Sequence, residues 1–367
     1  MATENESAET IFDDGDVVTT DDVPLLEVEG LTTSFKTDAG RLVAVDDIDF
    51  TVKSGETVCI VGESGSGKTV ATESVTRLIK QPPGTIEGSV RFKGQDLMDL
   101  SEKELRSIRG NEIAHIFQNP QEAMNHCYTV GWQITEAIQI HEDVSKEVAR
   151  ARGVDLLDRV GIDNASARFD DYPHEFSGGQ KQRIMIAMAL VGNPDLLLAD
   201  EPTTALDVTV QAQILRLLND LQEEFGMGIL FVTHDLGVVA EIADRVIVMY
   251  SGKIMESADV FEIFERPAHP YTQALMKCLP ERGGDQSGGI PGKLPDPTNP
   301  PDGCRFADRC EHATEDCEVG EQPPQLEIAP EHYVSCVYYG DGYDSSVVRD
   351  AELEAANAAG TEEVADD

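Results

Sequence analysis

The sequence predicts an α/β fold built on a largely parallel sheet, and three observations carry that prediction. Runs rich in Val and Ile alternate with helical stretches from Leu25 onward. Two of these runs, "LLLADEP" and "GILFVTH", are apolar almost throughout, which suits central strands buried on both faces. A Gly-rich loop, "GESGSGKT" at residues 62–69, joins a strand to a helix, the setting of a phosphate-binding loop.

Taken in order, "LLEVEGL", "RLVAVDDIDFTV" and "ETVCIVG" read as three strands broken by Gly. A helix is expected from Lys68 toward Ile79, because Pro82 and Pro83 cannot continue its hydrogen-bond ladder. "SEKE" at 101–104 has capping-box spacing and opens a short helix, and "IAHIFQ" is a short buried strand. Residues 132–160 are mostly helical with a weak break at 141–145. "KQRIMIAMAL" is a helix stopped by Asn193-Pro194, and "VQAQILRLLNDLQEEFG" an amphipathic one. "RVIVMYSGKIME" reads as a hairpin-like pair. Beyond Pro267 the composition shifts to Pro, Gly and Cys, which predicts a small appended module.

Of 367 residues, 40% are hydrophobic, enough to bury a core in two or more structural units. The charge is the outlier: 69 acidic against 28 basic residues, a net of -41. Such a surface repels nucleic-acid phosphate, so no nucleic-acid partner is expected. At molar salt the Debye length falls to about 3 Å and self-repulsion is screened. The composition therefore predicts a protein of a salt-accumulating halophile; the other reading is that acidic tails inflate the count. No run approaches the ~18 apolar residues of a membrane span, the longest being the eight of 184–191. "MATENESAETIFDDGD" lacks a basic n-region and an apolar h-region, so a cytoplasmic location is expected, with any membrane role arising through a partner.

The chemistry concentrates at strand ends. In Gly62-x4-Gly67-Lys68-Thr69 the glycines turn backbone N–H groups inward around a β-phosphate, Lys68 reaches the β/γ oxygens and the Thr69 hydroxyl ligates Mg²⁺. Asp200 ends an apolar strand, where a carboxylate holds the hydration shell of Mg²⁺, and Glu201 follows, set to polarise an attacking water. A surface turn is the bland reading of that pair. Gln118 ends "HIFQ" and is in position to reach metal or water; His234 ends "FVTH" and is in position to bond a γ-phosphate, although a lone His is more often structural. A second glycine pair, "SGGQ" at 177–180, is a further anion site at a helix N-terminus.

Together, the phosphate loop, Gln118, "SGGQ", "LLLADEP", "TALD" (204–207) and "FVTHD" resemble the nucleotide-binding subunits of ABC transporters, over about residues 25–255. The resemblance implies an ABC-type RecA-like P-loop core at 24–118 and 193–262, with a helical signature subdomain at 119–192. It also implies that two ATPase subunits pair head to tail, each signature loop closing over its partner's ATP. On that basis Gly62, Glu63, Ser64, Gly65, Ser66, Gly67, Lys68 and Thr69 cradle ATP, and Ser177, Gly178, Gly179 and Gln180 grip the partner's γ-phosphate. Glu201 matches the general base, His234 the switch histidine and Asp207 the loop that speaks across the dimer. Asp200, with Thr69 and Gln118, matches the Mg²⁺ site. Phe35 is the candidate adenine-stacking aromatic, with a core role as the alternative.

The region after Arg266 is similar to the C-terminal module of oligopeptide/dipeptide import ATPases, assigned here to 263–340 and extending the resemblance to about Tyr338. Acidic disordered tails are expected at 1–23 and 341–367. The resemblance implies two membrane permease subunits, a second ATPase subunit and an extracytoplasmic solute-binding protein as partners, at the cytoplasmic face of the plasma membrane. Peptides are the expected cargo, nickel or sugars the alternatives, and a non-transport ABC ATPase the rival class. One stretch, "AMNHCYTV" at 123–130, departs from the family's usual pattern where the permease docks. Four cysteines, Cys304, Cys310, Cys317 and Cys336, have the spacing C-x5-C-x6-C-x18-C, without the close pairs of structural zinc sites. Four thiolates suit a [4Fe–4S] cluster, and some relatives hold one there. His312 and His332 keep zinc open, and plain buried cysteines are the third reading.

Overall fold

Two sheets organise the chain. The computed structural model describes residues 23–118, 123–204, 206–279 and 290–349. Strands β1 (Leu26–Thr37), β2 (Gly40–Val52), β4 (Gly84–Phe92) and β5 (Gln95–Asp96) form an antiparallel sheet in the order β2-β1-β4-β5. The main sheet has the order β11-β12-β10-β9-β3-β8-β7-β6. Its strands are β3 (Thr57–Val61), β6 (Ile113–Ile116), β7 (Leu196–Asp200), β8 (Gly228–Thr233), β9 (Arg245–Tyr250), β10 (Lys253–Asp259), β11 (Leu326–Ala329) and β12 (His332–Val334).

From β9 through β3, β8 and β7 to β6 every pairing is parallel. All of β3 and β8, and β7 up to Ala199, are buried, as apolar runs covered on both faces must be. Parallel order has a functional consequence: the C-terminal ends of β3, β8, β7 and β6 all meet one edge of the sheet. Asp200 ends β7 with Glu201 next, and Lys68, His234 and Gln118 follow the ends of β3, β8 and β6.

The helical region matches its expected position. Helices Val130–His141 and Lys146–Arg159 flank the break at 142–145, and the Thr129 and Ser145 side chains cap their N-termini. Ser101 and Glu104 form the capping box read from "SEKE", a motif worth about 1 kcal/mol. No helix among the described residues is long and apolar enough to cross a membrane.

Three expectations are corrected. The helix after the phosphate loop ends at Val75 rather than near Ile79. Arg109 takes the Thr76 and Arg77 carbonyls at 2.7 and 2.9 Å, and Arg77 adopts a left-handed φ of 53°. The Arg109 guanidinium thus caps this end before the prolines are reached.

The C-terminal module is not a separate appendage. β12 pairs with β10, so the segment widens the main sheet, and Cys304, Phe306 and Cys317 belong to the same core cluster as β7 and β8. Buried Glu256 clasps the join, accepting from the Ala268 and His269 amides and bonding His332 Nε2 at 2.8 Å.

Nor does the acidic tail begin at 341. Val348 is buried, its carbonyl accepts from Gln273 Nε2, and the Tyr343 hydroxyl donates to Asp316. These contacts order 341–349. The remaining expected tail residues, 1–22 and 350–367, lie outside the described residues.

Candidate active site

Two glycines of the phosphate loop have no substitute. Gly62 (φ 150°) would place a Cβ 2.1 Å from the Met249 carbonyl, and Gly67 (φ 104°) would place one 2.3 Å from the Ala44 carbonyl. Both conformations and both contacts exclude a side chain. Gly67 is also the N-cap of helix Lys68–Val75 and offers no side-chain cap, so the first amides of the helix stay open to an anion. Lys68 is buried and donates to the Gly62 and Glu63 carbonyls at 2.8 and 2.9 Å. Burial lowers its pKa, against the pull of Glu201, Asp200 and Glu63.

Across from the loop, Thr69 Oγ1 donates to Asp200 Oδ1 at 3.2 Å, which sets two hard oxygen donors side by side. Burial raises the Asp200 carboxyl above its ordinary range. Glu201 is held at three points: Gln118 Nε2 at 3.0 Å and Thr204 Oγ1 at 2.8 Å on Oε2, with His234 Nδ1 at 3.1 Å from Oε1. Burial alone would raise its pKa, but the bonds from Thr204, His234 and Gln118 outweigh burial and lower it. The carboxylate is therefore ionised at neutral pH. Its backbone sits at φ 45°, a left-handed conformation costing a bulky residue about 1–3 kcal/mol. Strain of that size at one carboxylate, fixed by three side chains, marks a residue whose aim matters. A cavity of about 690 Å³ joins Gly62, Glu63 and Ser64 to Gln118, Glu201 and His234, within the range of small-molecule sites.

The other predicted residues lie elsewhere. Ser177 and Gln180 form a reciprocal capping box at the start of helix Gly178–Ala189, with Ser177 and Gly178 exposed. None of Ser177, Gly178, Gly179 and Gln180 lines the cavity of the chain's own phosphate loop. Asp207 caps helix Val208–Phe225, accepting from the Val210 amide at 3.0 Å. Of the "TALD" stretch, residue 205 lies outside the described residues. Phe35 is half-buried on β1, opposite Gly84 and Leu42, and is not among the cavity's lining residues.

The four C-terminal cysteines line one small cavity with His269. Burial pushes the Cys304 and Cys336 thiols up to about 12 and raises Cys310 as well. Among the described residues no three His, Cys, Asp or Glu are arranged as a ready metal site. His332 does not face these thiols; it is committed to Glu256. That removes it from the zinc reading.

Three residues from the C-terminal region reach the phosphate loop, and sequence reasoning missed them. The Tyr271 hydroxyl accepts from the Glu63 amide at 3.0 Å, Leu294 approaches Gly65, and Arg309 pairs with the Glu63 carboxylate. Neither periodicity nor motif spacing marks them, because each contact spans more than 200 positions.

Comparison with known proteins agrees with this geometry. A family described as "ABC transporter" matches residues 45–204, and "Oligopeptide/dipeptide transporter, C-terminal region" matches 255–317. The chain is 50% identical over 314 residues to the oligopeptide transport ATP-binding protein OppD of Bacillus subtilis (strain 168), covering 84% of this chain and 87% of that protein. It is 49% identical over 328 residues to a putative peptide import ATP-binding protein of Brucella abortus (strain 2308), covering 86% and 97%. Among solved structures it is similar to the dimeric ATP-binding cassette MJ0796 bound to ADP and Pi, with TM-score 0.58 and 30% identity over 64% of this chain and 98% of that one. CbiO1 from Clostridium perfringens, part of the transporter complex cbiONQ, gives TM-score 0.56 and 29% identity over 66% and 90%.

Proposed function

The chain belongs to the ATP-binding subunits of ABC transporters of the oligopeptide/dipeptide type, and on that premise we propose that it is the ATP-hydrolysing motor of a peptide importer. The observation that carries the reading is the ionised, strained Glu201, aimed by three side chains into the cavity of the phosphate loop. In this role Glu201 takes the proton of the attacking water, while Gln118 and His234 hold the carboxylate and His234 meets the γ-phosphate. Lys68 and the open amides after Gly67 bind the β- and γ-phosphates. Thr69, Asp200 and Gln118 would hold Mg²⁺, which when bound draws charge from the phosphate oxygens; the adjacent Thr69 and Asp200 oxygens fit a hard cation. For the adenine we propose Phe35.

The reading includes a second ATPase subunit whose Ser177–Gln180 capping box completes this site in trans, two permeases, and a solute-binding protein acting through them. It locates the subunit at the cytoplasmic face of the membrane, in a salt-rich interior that matches a net charge of -41. The test is uptake of a labelled oligopeptide into vesicles bearing the permeases and this subunit, with the binding protein supplied. Uptake is expected to require ATP, to vanish with Lys68→Ala, and to be faster in molar KCl than in dilute buffer. Accumulation of nickel or a sugar in place of peptide would reassign the cargo, and fastest uptake in dilute buffer would remove the salt-rich setting.

We also propose that Cys304, Cys310, Cys317 and Cys336 hold a [4Fe–4S] cluster with a structural role. Their convergence on one cavity supports it, and ligation would displace to solvent the protons that burial otherwise keeps on the thiols. Protein purified anaerobically is expected to be coloured and to contain iron and sulfide, with Cys310→Ser bleaching it. Colourless protein with one zinc, or with no metal, would replace the cluster with one of the other readings.

A further inference from the structure

We propose that Arg309 is a positioning residue for the phosphate loop, neutralising the loop's own carboxylate, Glu63, and holding it away from the incoming triphosphate. The inference rests on the nucleotide reading of that loop.

Glu63 is the second residue of a cradle built to present N–H groups to a polyanion, so its carboxylate has the wrong sign for the site. Arg309 meets it with both prongs, Nη1 to Oε2 at 2.6 Å and Nη2 to Oε1 at 3.1 Å. This bidentate fork is the strongest form of such a pair and fixes the direction of both groups. Every other donor of the guanidinium is used: Nε on the Pro291 carbonyl at 2.8 Å, Nη2 on the Ile290 carbonyl at 2.7 Å and Nη1 on the Tyr250 hydroxyl at 3.1 Å. Its side chain is only 4% exposed, with the rings of Tyr250 and Phe306 beneath it. An arginine tied this way cannot swing across to a phosphate, so its part is to position Glu63 and not to bind nucleotide.

Tyr271 completes the hold from the other side, its hydroxyl accepting from the Glu63 amide. Backbone and carboxylate of one loop residue are thus both gripped by the C-terminal region. If the pair is broken, a free carboxylate is left on the rim of the nucleotide cavity, which Glu63 lines together with Ser64 and Glu201. Its charge is already felt at Lys68.

The test is a double-mutant cycle on the full chain, reading affinity for the non-hydrolysable analogue AMP-PNP with Mg²⁺. Arg309→Gln is expected to weaken binding about tenfold, and adding Glu63→Gln to restore it to within about threefold of wild type, because the repulsive charge is gone. A merely structural clamp predicts the opposite for the second step, since the double variant lacks the clamp as completely as the single one. An unchanged affinity in Arg309→Gln, or a double variant as weak as the single, overturns the proposal. Thermal melting checks that the variants fold. Should Arg309→Gln not fold, Arg309→Lys takes its place: it keeps the charge and is expected to lose no more than about threefold, and a larger loss that Glu63→Gln leaves unrepaired overturns the proposal. Failure of the wild-type chain to bind AMP-PNP would remove the nucleotide reading itself, whereas binding indifferent to Arg309 removes only this inference.

Discussion

Glu201→Gln is expected to lower ATP turnover about a thousandfold while leaving ATP bound, the range set by loss of a positioned general base. The amide keeps the volume and the left-handed backbone of the site, so the loop and its neighbours need not move. What is lost is the negative charge that Thr204, His234 and Gln118 stabilise, and with it the capacity to accept the water's proton. In the proposed reading phosphate is bound by Lys68 and the amides after Gly67, and Lys68 is held by the Gly62 and Glu63 carbonyls, which the substitution leaves in place. The variant should therefore collect as an ATP-bound dimer, visible by size exclusion in the presence of ATP. Single-turnover hydrolysis measures the effect directly. A rate within about tenfold of wild type would assign the base to another group.

The second large effect concerns the signature glycines. Gly178→Asp should suppress hydrolysis about a hundredfold or more by setting a carboxylate against the partner's γ-phosphate, with nucleotide still bound to the chain's own phosphate loop. Gly178 is the better position because a Cβ there meets nothing within 4 Å, whereas one at Gly179 would meet Val210 Cγ1 at 2.7 Å. An Asp at 179 would mix a steric effect with the electrostatic one. Lys68→Ala is expected to be inactive for a separate reason, loss of the ammonium proposed to bind phosphate. When the two variants are mixed, each heterodimer has one composite site with an intact Lys68 and an intact Gly178, and one with neither. Partial ATPase activity should return on mixing. A mixture as inactive as its parents, or loss of ATP binding in Gly178→Asp alone, would contradict a site shared between subunits.

These two predictions draw on residues that were legible in the sequence, and the reason is local. A phosphate loop needs its left-handed glycine conformations and its lysine within eight positions, whatever else packs on it, so Gly62, Gly67 and Lys68 are written close together. The capping box read at Ser101 closes across three positions and formed, and the helix start read at Ser177 carries one of the same span. Asp200 and Glu201 were visible because an apolar run buried on both faces must end somewhere polar.

The misses have a common cause too. The prolines after Ile79 were the obvious helix stop, yet Arg109, more than thirty positions away, capped the end earlier. The Cys-rich segment looked independent because its composition changes; strand pairing to β10 and the buried Glu256–His332 clasp join it to the main sheet. At 341–349 acidic composition suggested solvent, and one buried valine with one capped carbonyl decided otherwise.

By itself, the sequence determined the residue types of each piece: a Gly-rich loop before a lysine, a carboxylate pair, a glycine pair at a helix start, four thiols. Short-range geometry dictates residue types at short spacing, and that dependence survives in a single chain. Only the tertiary structure decided which pieces face one another. It brought four strand ends to one edge, left residues 177–180 out of the lining of the phosphate loop's cavity, and set Arg309 on Glu63 across 246 positions. Contacts of that kind are selected by burial and charge complementarity after the chain has folded back on itself. They impose no periodicity on the segments they join, so nothing in either segment alone announces the other.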